Sequence, residues 1–381
     1  MTKRIATMMM ALVATGMAAA QAKSMAEQDK LVRVNQIQVI GSHNSYHAGF
    51  APSERKWMEA HAAKALHSLD YKHAPLADQL DGGVRQLEID VFSDVKGGRY
   101  AHLNVTDAVA KDGLPADPDF DPNHEMDKPG FKVMHVQGLD QRSVCRTFVL
   151  CLTQVKAWSK AHPQHLPLFL LIETKEGAVK EMPDAAIPEP FTPEVFDALD
   201  KEILSVFSKS DIVTPDDVRG SADTLNAAIT TKGWPRLARA RGKVIFLMDQ
   251  RKVEGIYTKG HPSLKGRILF TNAVPGQADA AFTEENDGSL EHMNDLVKRG
   301  YLVRTRTDEG TEAARTNDTA RRDLALSSGA QMISTDYPPS EPSQWTPYVV
   351  KLPDGLAGRC NPVNAPKGCD DHLLEPGNMN R

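Results

Sequence analysis

The sequence predicts one closed (β/α)8 barrel of the TIM type with loop insertions, in the α/β class, and three observations favour it. First, short apolar runs rich in β-branched residues alternate with helical stretches along most of the 381 residues. Second, there are eight such runs, which is the number that closes a parallel barrel. Third, no Gly-x-Gly-x-x-Gly motif follows any run, so an open doubly wound sheet is the weaker alternative.

The predicted strands differ in how strongly the sequence marks them. Residues 168–174 are almost continuously apolar, as expected of a strand that is covered on both faces. In residues 84–92 polar and apolar side chains alternate, so Glu88 and Asp90 share one face. In chain order, the eight predicted strands are residues 36–43, 84–92, 131–135, 168–174, 243–249, 267–271, 301–304 and 331–335.

Helices are predicted between several of these strands, and two longer stretches interrupt the alternation. Residues 104–130 are acidic and contain prolines, and residues 176–192 are rich in proline, so both are predicted to be loops. The predicted helices are residues 151–161, 193–208, 289–298 and 311–328.

The N-terminus has the composition of a secretory signal peptide. Two basic residues precede a short run rich in Met and Ala, which ends in the small-x-small pattern Ala20-Gln21-Ala22. An N-terminal membrane anchor is the alternative, and no later stretch is long and apolar enough to span a bilayer. We therefore expect a secreted or periplasmic protein. Its expected parts are a signal peptide at 1–22, the barrel at 23–348 and a C-terminal tail at 349–381.

The charge balance and the cysteines narrow the possible partners and cofactors. Lys and Arg number 45 against 50 Asp and Glu, a net charge of −5, and without a long basic run nucleic acid is not an expected partner. The four cysteines form two close pairs, Cys145 with Cys151 and Cys360 with Cys369, which predict two local disulfides in an oxidising compartment. Their spacing does not fit a zinc site.

Polar side chains end four consecutive predicted strands. The strands of a parallel barrel end at one mouth, where the functional residues of such barrels lie. Three carboxylates and an amide oxygen are hard ligands suited to Ca²⁺ or Mg²⁺, and two imidazoles remain for proton transfer or charge stabilisation. Each residue alone is more often structural; their conjunction is what predicts a site. In strand order they are His43 and Asn44, Glu88 and Asp90, His135, and Glu173.

The motifs that carry these residues resemble the calcium-dependent phosphatidylinositol-specific phospholipase C family, in its secreted bacterial-type branch. The resemblance runs from about residue 35 to residue 337. It implies the barrel fold of phospholipase C-like phosphodiesterases, Ca²⁺ as the cofactor and a phospholipid substrate at a membrane surface. The motifs are Gly41-Ser-His-Asn-Ser-Tyr46, Gln86-Leu-Glu-Ile-Asp90, Val133-Met-His135 and Leu171-Ile-Glu-Thr-Lys175.

The resemblance also implies a role for each residue. His43 and His135 take the paired catalytic roles, and the calcium ligands are Asn44, Glu88, Asp90 and Glu173. Lys175 matches a position near the substrate phosphates. In the implied reaction Glu88 or Asp90 takes the inositol hydroxyl proton, His43 donates to the phosphoryl oxygen, and His135 protonates the departing diacylglycerol oxygen. Three later residues match no family motif but could contact the head group: Asp249, Arg304 and Tyr337.

Two other functions remain open at this point. A glycerophosphodiester phosphodiesterase or phospholipase D-like enzyme would use similar chemistry on the same barrel, but such glycerophosphodiesterases usually begin with His-Arg-Gly where this chain has His43-Asn44-Ser45. A non-catalytic barrel that binds calcium or a polyol is the second alternative, and it would not need both histidines. A fold alone does not fix the substrate.

Overall fold

Eight parallel strands form a nearly closed barrel in the computed structural model, which describes residues 24–180 and 182–375. The predicted signal peptide at 1–22 lies outside the described residues. The strands are β1 (Ile37–Ser42), β2 (Gln86–Val91), β3 (Leu168–Thr174), β4 (Val244–Met248), β5 (Leu269–Phe270), β6 (Phe282–Glu284), β7 (Leu302–Arg306) and β8 (Met332–Thr335), with β9 (Gly358–Cys360) outside the barrel order.

The strand order confirms the predicted barrel. Hydrogen-bonded neighbours run β5-β4-β3-β2-β1-β8-β7-β6, all parallel, and the circle is completed between β5 and β6 by an isolated parallel bridge from Asn272 to Phe282. The strand β9 pairs antiparallel with the start of β1. All strand carboxyl ends therefore surround one mouth.

Helices cover the outside of this barrel, and the strands themselves are almost wholly buried. Among the described residues, none of the helices is both long and apolar enough to cross a membrane. The helices are α1 (Met25–Leu31), α2 (Pro52–His61), α3 (Ala63–Leu69), α4 (Leu76–Asp81), α5 (Val105–Lys111), α6 (Phe148–Ala161), α7 (Pro193–Val206), α8 (Pro215–Arg219), α9 (Leu225–Thr231), α10 (Leu237–Ala240), α11 (Glu254–Tyr257), α12 (Leu290–Lys298), α13 (Glu312–Thr316) and α14 (Ala320–Ser327).

The predicted strand over residues 131–135 is wrong. This segment belongs to the long connection between β2 and β3 and makes isolated antiparallel bridges, from Lys132 to Phe92 and to Thr147. Its apolar side chains are buried in the core, which explains the strand-like pattern without strand pairing. The missing barrel strand is β6, whose three residues are too few to show a periodicity.

Two other boundaries differ from the prediction. The predicted helix over 311–328 is divided into α13 and α14 because Asn317 adopts a left-handed conformation, with φ of 56°, that ends α13. The predicted loop over 104–130 contains the short helix α5.

Both predicted disulfides are present and close short loops. Cys145 is bonded to Cys151, in the first turn of α6, and Cys360 in β9 is bonded to Cys369. The C-terminal segment packs back on the barrel, where the Glu375 carboxylate accepts a hydrogen bond from the buried Arg85 guanidinium at 3.0 Å.

Candidate active site and metal centre

Three carboxylates meet at the mouth as the alternation of β2 predicts. Glu88 and Asp90 lie on one face of β2, and the register of the next ladder puts Asp90 beside Glu173 of β3. One oxygen from each of the three groups lies within 4.8 Å of the others. Glu88 and Asp90 are buried, and Glu173 is partly exposed.

Asn44 lies beside this cluster on a tight turn after β1. Its φ of 45° is a left-handed conformation, which Asn tolerates better than most residues because its short polar side chain can bond locally. The carboxamide Nδ2 donates to the Tyr71 hydroxyl at 2.8 Å, and Oδ1 accepts from the Tyr46 hydroxyl at 3.3 Å. The pKa of Tyr46 is raised by its burial and by the adjacent Asp90 carboxylate. The Asn44 oxygen is thus held on the Asp90 side of the mouth.

Lys175 supplies a positive charge to two of the three carboxylates. Its Nζ lies 3.0 Å from Asp90 Oδ2 and 3.1 Å from Glu173 Oε1. Burial and the neighbouring Glu173 raise the pKa of Asp90 well above its usual range. Although burial opposes it, the Lys175 charge holds the pKa of Glu173 below its ordinary value.

The residues fit a calcium ion. Both oxygens of Asp90 are buried; Oδ2 is paired with the Lys175 ammonium, and Oδ1 has no hydrogen-bond partner among the described residues, so Oδ1 has unused ligand capacity. The donor set consists of oxygens alone, which is the set that Ca²⁺ prefers. Glu88, Asp90 and Glu173 could hold the ion, with Asn44 at the edge of the same group.

His43 lies at the carboxyl end of the β1–β8 ladder, between Asp336 after β8 and Arg306 of β7. Its Nδ1 lies 2.7 Å from Asp336 Oδ1, and its Nε2 lies 3.0 Å from Arg306 Nη1. A guanidinium only donates, so Nε2 is the acceptor and the proton sits on Nδ1, where it is donated to Asp336. Burial and then the Arg306 charge lower the pKa of His43 well below its usual range. His43 is therefore a neutral imidazole whose Nε2 lone pair faces the mouth, 3.5 Å from Glu88 Oε1.

His135, like His43, is held at its Nδ1 atom by a buried aspartate. Its Nδ1 lies 3.0 Å from Asp140 Oδ2, and the same carboxylate lies 3.0 Å from Nε2 of the buried His47. Burial opposes ionisation of Asp140, but the two imidazoles hold the pKa of that carboxyl well below its usual range. Asp140 thus stays charged and orients His135, whose side chain is 17% exposed at the mouth.

A second group of charges lies on the far side of the mouth. Arg304 of β7 is buried and forms an ion pair with Glu88, and it also contacts Asn286 Oδ1 at 2.8 Å. Asp249 follows β4 and Glu284 lies in β6, and their carboxyl groups face each other. Burial raises the pKa of both carboxyl groups, and the charge of Glu284 raises the pKa of Asp249 further. Arg304 is 1% exposed and supplies a positive charge to Glu88.

Tyr337 follows Asp336 after β8 and packs among aromatic side chains. Its ring packs against Trp345 and Tyr348, and its buried hydroxyl has no hydrogen-bond partner within the described residues. It lines a cavity of about 720 Å³ that also borders Asp336 and Tyr71, the two residues beside His43. Of Asp336 and Tyr337, Asp336 is the one that contacts the His43 imidazole.

Four residues of the site are absent from the sequence-based prediction. Arg306 shares a face of β7 with Arg304, and Asp336 directly follows β8, so the rule that finds Glu88 and Asp90 could have found both. Glu284 lies on the unrecognised β6. Asp140 lies in the irregular β2–β3 connection, where no periodicity marks it.

Comparison with known proteins identifies a matching family and a matching fold. Residues 32–362 match the profile of the family described as Phosphoinositide phospholipase C, Ca²⁺-dependent. No curated protein is significantly similar to this chain in sequence.

Three solved structures are among those similar to this chain. The calcium-dependent phosphoinositol-specific phospholipase C of a Gram-negative Pseudomonas species, in an apo form, has a TM-score of 0.52 at 17% identity, over 86% of this chain and 95% of that chain. Its myoinositol complex has a TM-score of 0.51 at 17% identity, with the same coverage. The Ca²⁺-dependent enzyme of Streptomyces antibioticus has a TM-score of 0.48 at 18% identity, over 80% and 95% of the chains. The Pseudomonas structures show that the barrel architecture is shared.

Proposed function

The chain belongs to the Ca²⁺-dependent phosphoinositide phospholipase C family, and on that premise we propose how its own residues cleave a phosphatidylinositol-like lipid. Membership makes it a calcium-dependent phosphoric diester hydrolase. The proposed products are diacylglycerol and a cyclic inositol phosphate, which is then opened by water. The attacking group in the first step is the inositol 2-hydroxyl.

His43 is proposed as the base for that hydroxyl. A neutral imidazole with its proton on Nδ1 carries a lone pair at Nε2, which accepts from Arg306 until the substrate hydroxyl takes that place, and the lowered pKa of His43 favours this neutral form. This revises the sequence-based assignment, in which Glu88 or Asp90 takes the proton and His43 donates one. Both carboxylates are already paired with cations, and His43 has no Nε2 proton to give.

Fixed positive charges surround the position proposed for the phosphate. Arg306 lies beside His43 Nε2, and Lys175 lies at the other side of the carboxylates. Charges that are already in place stabilise the charge that develops on the phosphoryl oxygens without reorganisation. Calcium, when bound by the carboxylates, adds positive charge at the phosphate and makes the attacking hydroxyl more acidic.

His135 is proposed as the acid that protonates the departing diacylglycerol oxygen. The ionised Asp140 accepts the Nδ1 hydrogen of His135 and orients the ring, so Nε2 is the atom proposed to deliver the proton. In the second step the neutral imidazole left behind takes a proton from the water that opens the cyclic phosphate. Asp249 and Glu284 are proposed to bind hydroxyls of the inositol ring, because their facing carboxyls can both donate and accept hydrogen bonds.

One observation carries this proposal: two imidazoles, each held at Nδ1 by a buried aspartate, flank a cluster of three carboxylates. A barrel that only bound calcium or a polyol would not need this pair. Phosphorus NMR of phosphatidylinositol, glycerophosphoinositol and glycerophosphocholine, each with Ca²⁺ or with chelator, tests it. We expect a transient cyclic inositol phosphate from phosphatidylinositol with Ca²⁺ alone. Cleavage of glycerophosphocholine at an equal rate would favour a glycerophosphodiesterase instead.

The enzyme is proposed to bind its lipid substrate at a membrane surface. Three large apolar side chains on loops that follow the carboxyl ends of strands are exposed: Val95 after β2 is 64% exposed, Ile187 after β3 is 68% and Val274 after β5 is 45%. The loops that carry Val95 and Ile187 are joined by hydrogen bonds. Val95 N and the Arg99 guanidinium both donate to the Glu189 carboxylate, and Arg99 also donates to the Ile187 carbonyl. Exposed apolar groups on the active-site rim suit insertion between lipid head groups.

Export is the remaining proposal. The basic and apolar pattern of residues 1–22 and the two disulfides both support a secreted or periplasmic protein with a barrel from residue 23. N-terminal sequencing of the exported protein should then begin at residue 23, and an uncleaved N-terminus would favour a membrane anchor.

A further inference from the structure

A second cluster of charged side chains lies at the end of the barrel opposite the mouth. Arg33 precedes β1, and Arg236 and Arg239 precede β4, so these residues lie at the amino ends of the strands. With Lys30 and Lys232 they line a cavity of about 560 Å³, which we call the basic cavity.

The backbone forces two of these cations together. Arg33 and Arg236 are partners in an antiparallel bridge, which is fixed on either side by Val34 N donating to Pro235 O at 3.0 Å and Leu237 N donating to Val32 O at 2.9 Å. Paired residues in such a bridge project to the same side, and like charges placed there are destabilising. Burial and the Arg236 charge lower the pKa of the Arg33 guanidinium. This arrangement is unfavourable unless an anion compensates it.

None of these cations forms an ion pair with a carboxylate of the described residues. Arg33 donates to the Trp234 carbonyl and Arg236 donates to the Leu31 carbonyl, each at 2.5 Å, and neither contact carries a negative charge. Lys232 Nζ contacts the Ser221 hydroxyl at 2.9 Å. Lys30 and Arg239 make no side-chain hydrogen bond or ion pair within the same part of the chain.

The acidic residue that lines the basic cavity is already engaged. The Asp217 carboxylate accepts hydrogen bonds from Thr214 N at 2.9 Å and from Thr214 Oγ1 at 2.8 Å, where it completes the N-terminal cap of α8. A further cation, Lys243, lies in the adjoining recess with Asp217 and Arg239. The excess of positive charge is local, because the whole chain has a net charge of −5.

We propose that the basic cavity binds a phosphate-bearing anion. Paired guanidinium groups match the oxygens of a phosphate, and two lysines add charge without a fixed geometry. The anion could be a free phosphate ester or the head group of an anionic lipid. Because the basic cavity faces away from the mouth, a lipid held there would turn the active site away from the same bilayer, which favours a free phosphate ester. The inference does not depend on the reaction proposed for the mouth.

Calorimetric titration with inorganic phosphate, in calcium-free buffer, tests the inference on the full chain. The cavity variant is Lys30→Gln/Arg239→Gln, which removes two exposed charges and breaks no hydrogen bond. The matched control is Lys56→Gln/Lys111→Gln, which removes the same charge from α2 and α5. We expect the Kd to rise about tenfold or more in the cavity variant, since charge-assisted hydrogen bonds are lost, and to stay unchanged in the control.

A second experiment, with lipid vesicles, distinguishes a free phosphate ester from the head group of an anionic lipid. Sedimentation with phosphatidylglycerol vesicles, against phosphatidylcholine vesicles, is measured for the same three proteins. Weaker phosphate binding in the cavity variant, with unchanged vesicle binding, assigns a free phosphate ester. Loss of phosphatidylglycerol binding in that variant assigns a lipid head group. If the cavity variant and the control match the unmodified protein in both assays, or if neither anion binds, the inference is overturned.

Discussion

The His43 imidazole donates its Nδ1 hydrogen to Asp336, 2.7 Å away, across the junction between the first and last strands of the barrel. The register of β1 and β8 pairs Ser42 with Thr335, so the next residue on each strand lies beside the other at the mouth. Residues 293 positions apart in sequence thereby form one hydrogen-bonded pair, and pairing of the first and last strands is what assembles it.

Replacing Asp336 by Asn should reduce kcat on phosphatidylinositol by roughly 10²–10⁴-fold, the usual effect of losing a correctly positioned acid or base. An amide can stabilise the wrong tautomer of His43 and place the proton on Nε2, where it blocks proton transfer. KM should change little. The matched control is Asp223→Asn in an exposed loop, which should retain full activity. Equal activity in both variants would mean that Asp336 does not set the state of His43.

Glu173→Gln should weaken calcium affinity and leave the fold intact. Glu173 provides one of the three carboxylates, and Lys175 retains Asp90 as a partner after the substitution. Calorimetric titration with Ca²⁺ should show a higher Kd, while the Tm without calcium stays within a few degrees. Chelation should abolish turnover of the unmodified enzyme. Full activity in excess chelator would indicate that Lys175 and Arg304 suffice for charge compensation.

The exposed apolar rim should matter for lipid but not for soluble substrate. Val95→Asp/Ile187→Asp should reduce cleavage of phosphatidylinositol in vesicles severalfold, because charged groups on the rim oppose insertion among head groups. Hydrolysis of a water-soluble inositol phosphodiester should be unchanged. Leu290→Asp, on the outer face of α12 and 43% exposed, is the control. A similar loss on both substrates would point to distortion of the mouth instead.

The barrel and most of the carboxylate cluster could be predicted from sequence because both depend on local periodicity. The alternation in residues 84–92 alone puts Glu88 and Asp90 on one face, and the apolar run 168–174 coincides with β3 to the residue. The prediction includes a strand at 131–135 that does not form and omits β6, so the predicted number of barrel strands is still eight.

The partners of the two histidines could not be predicted as readily because they depend on tertiary contacts. Asp336 becomes the partner of His43 when the barrel closes, and Asp140 reaches His135 through an irregular loop. The same is true of His73, which is 5% exposed and whose Nε2 lies 2.8 Å from the His43 carbonyl oxygen, where it supports the turn after β1.

The central claim is that His135 and His43 divide proton transfer between the leaving group and the nucleophile. The most direct test compares kcat of His135→Ala and His43→Ala on two substrates, phosphatidylinositol and a nitrophenyl inositol phosphate. Nitrophenolate needs no proton to depart, whereas the diacylglycerol alkoxide does. We therefore expect His135→Ala to lose roughly 10²–10⁴-fold on the lipid and far less on the nitrophenyl ester. We expect His43→Ala to lose a similar factor on both, because both require deprotonation of the 2-hydroxyl. Equal losses on the two substrates in His135→Ala, or near-normal turnover in either variant, would contradict the account.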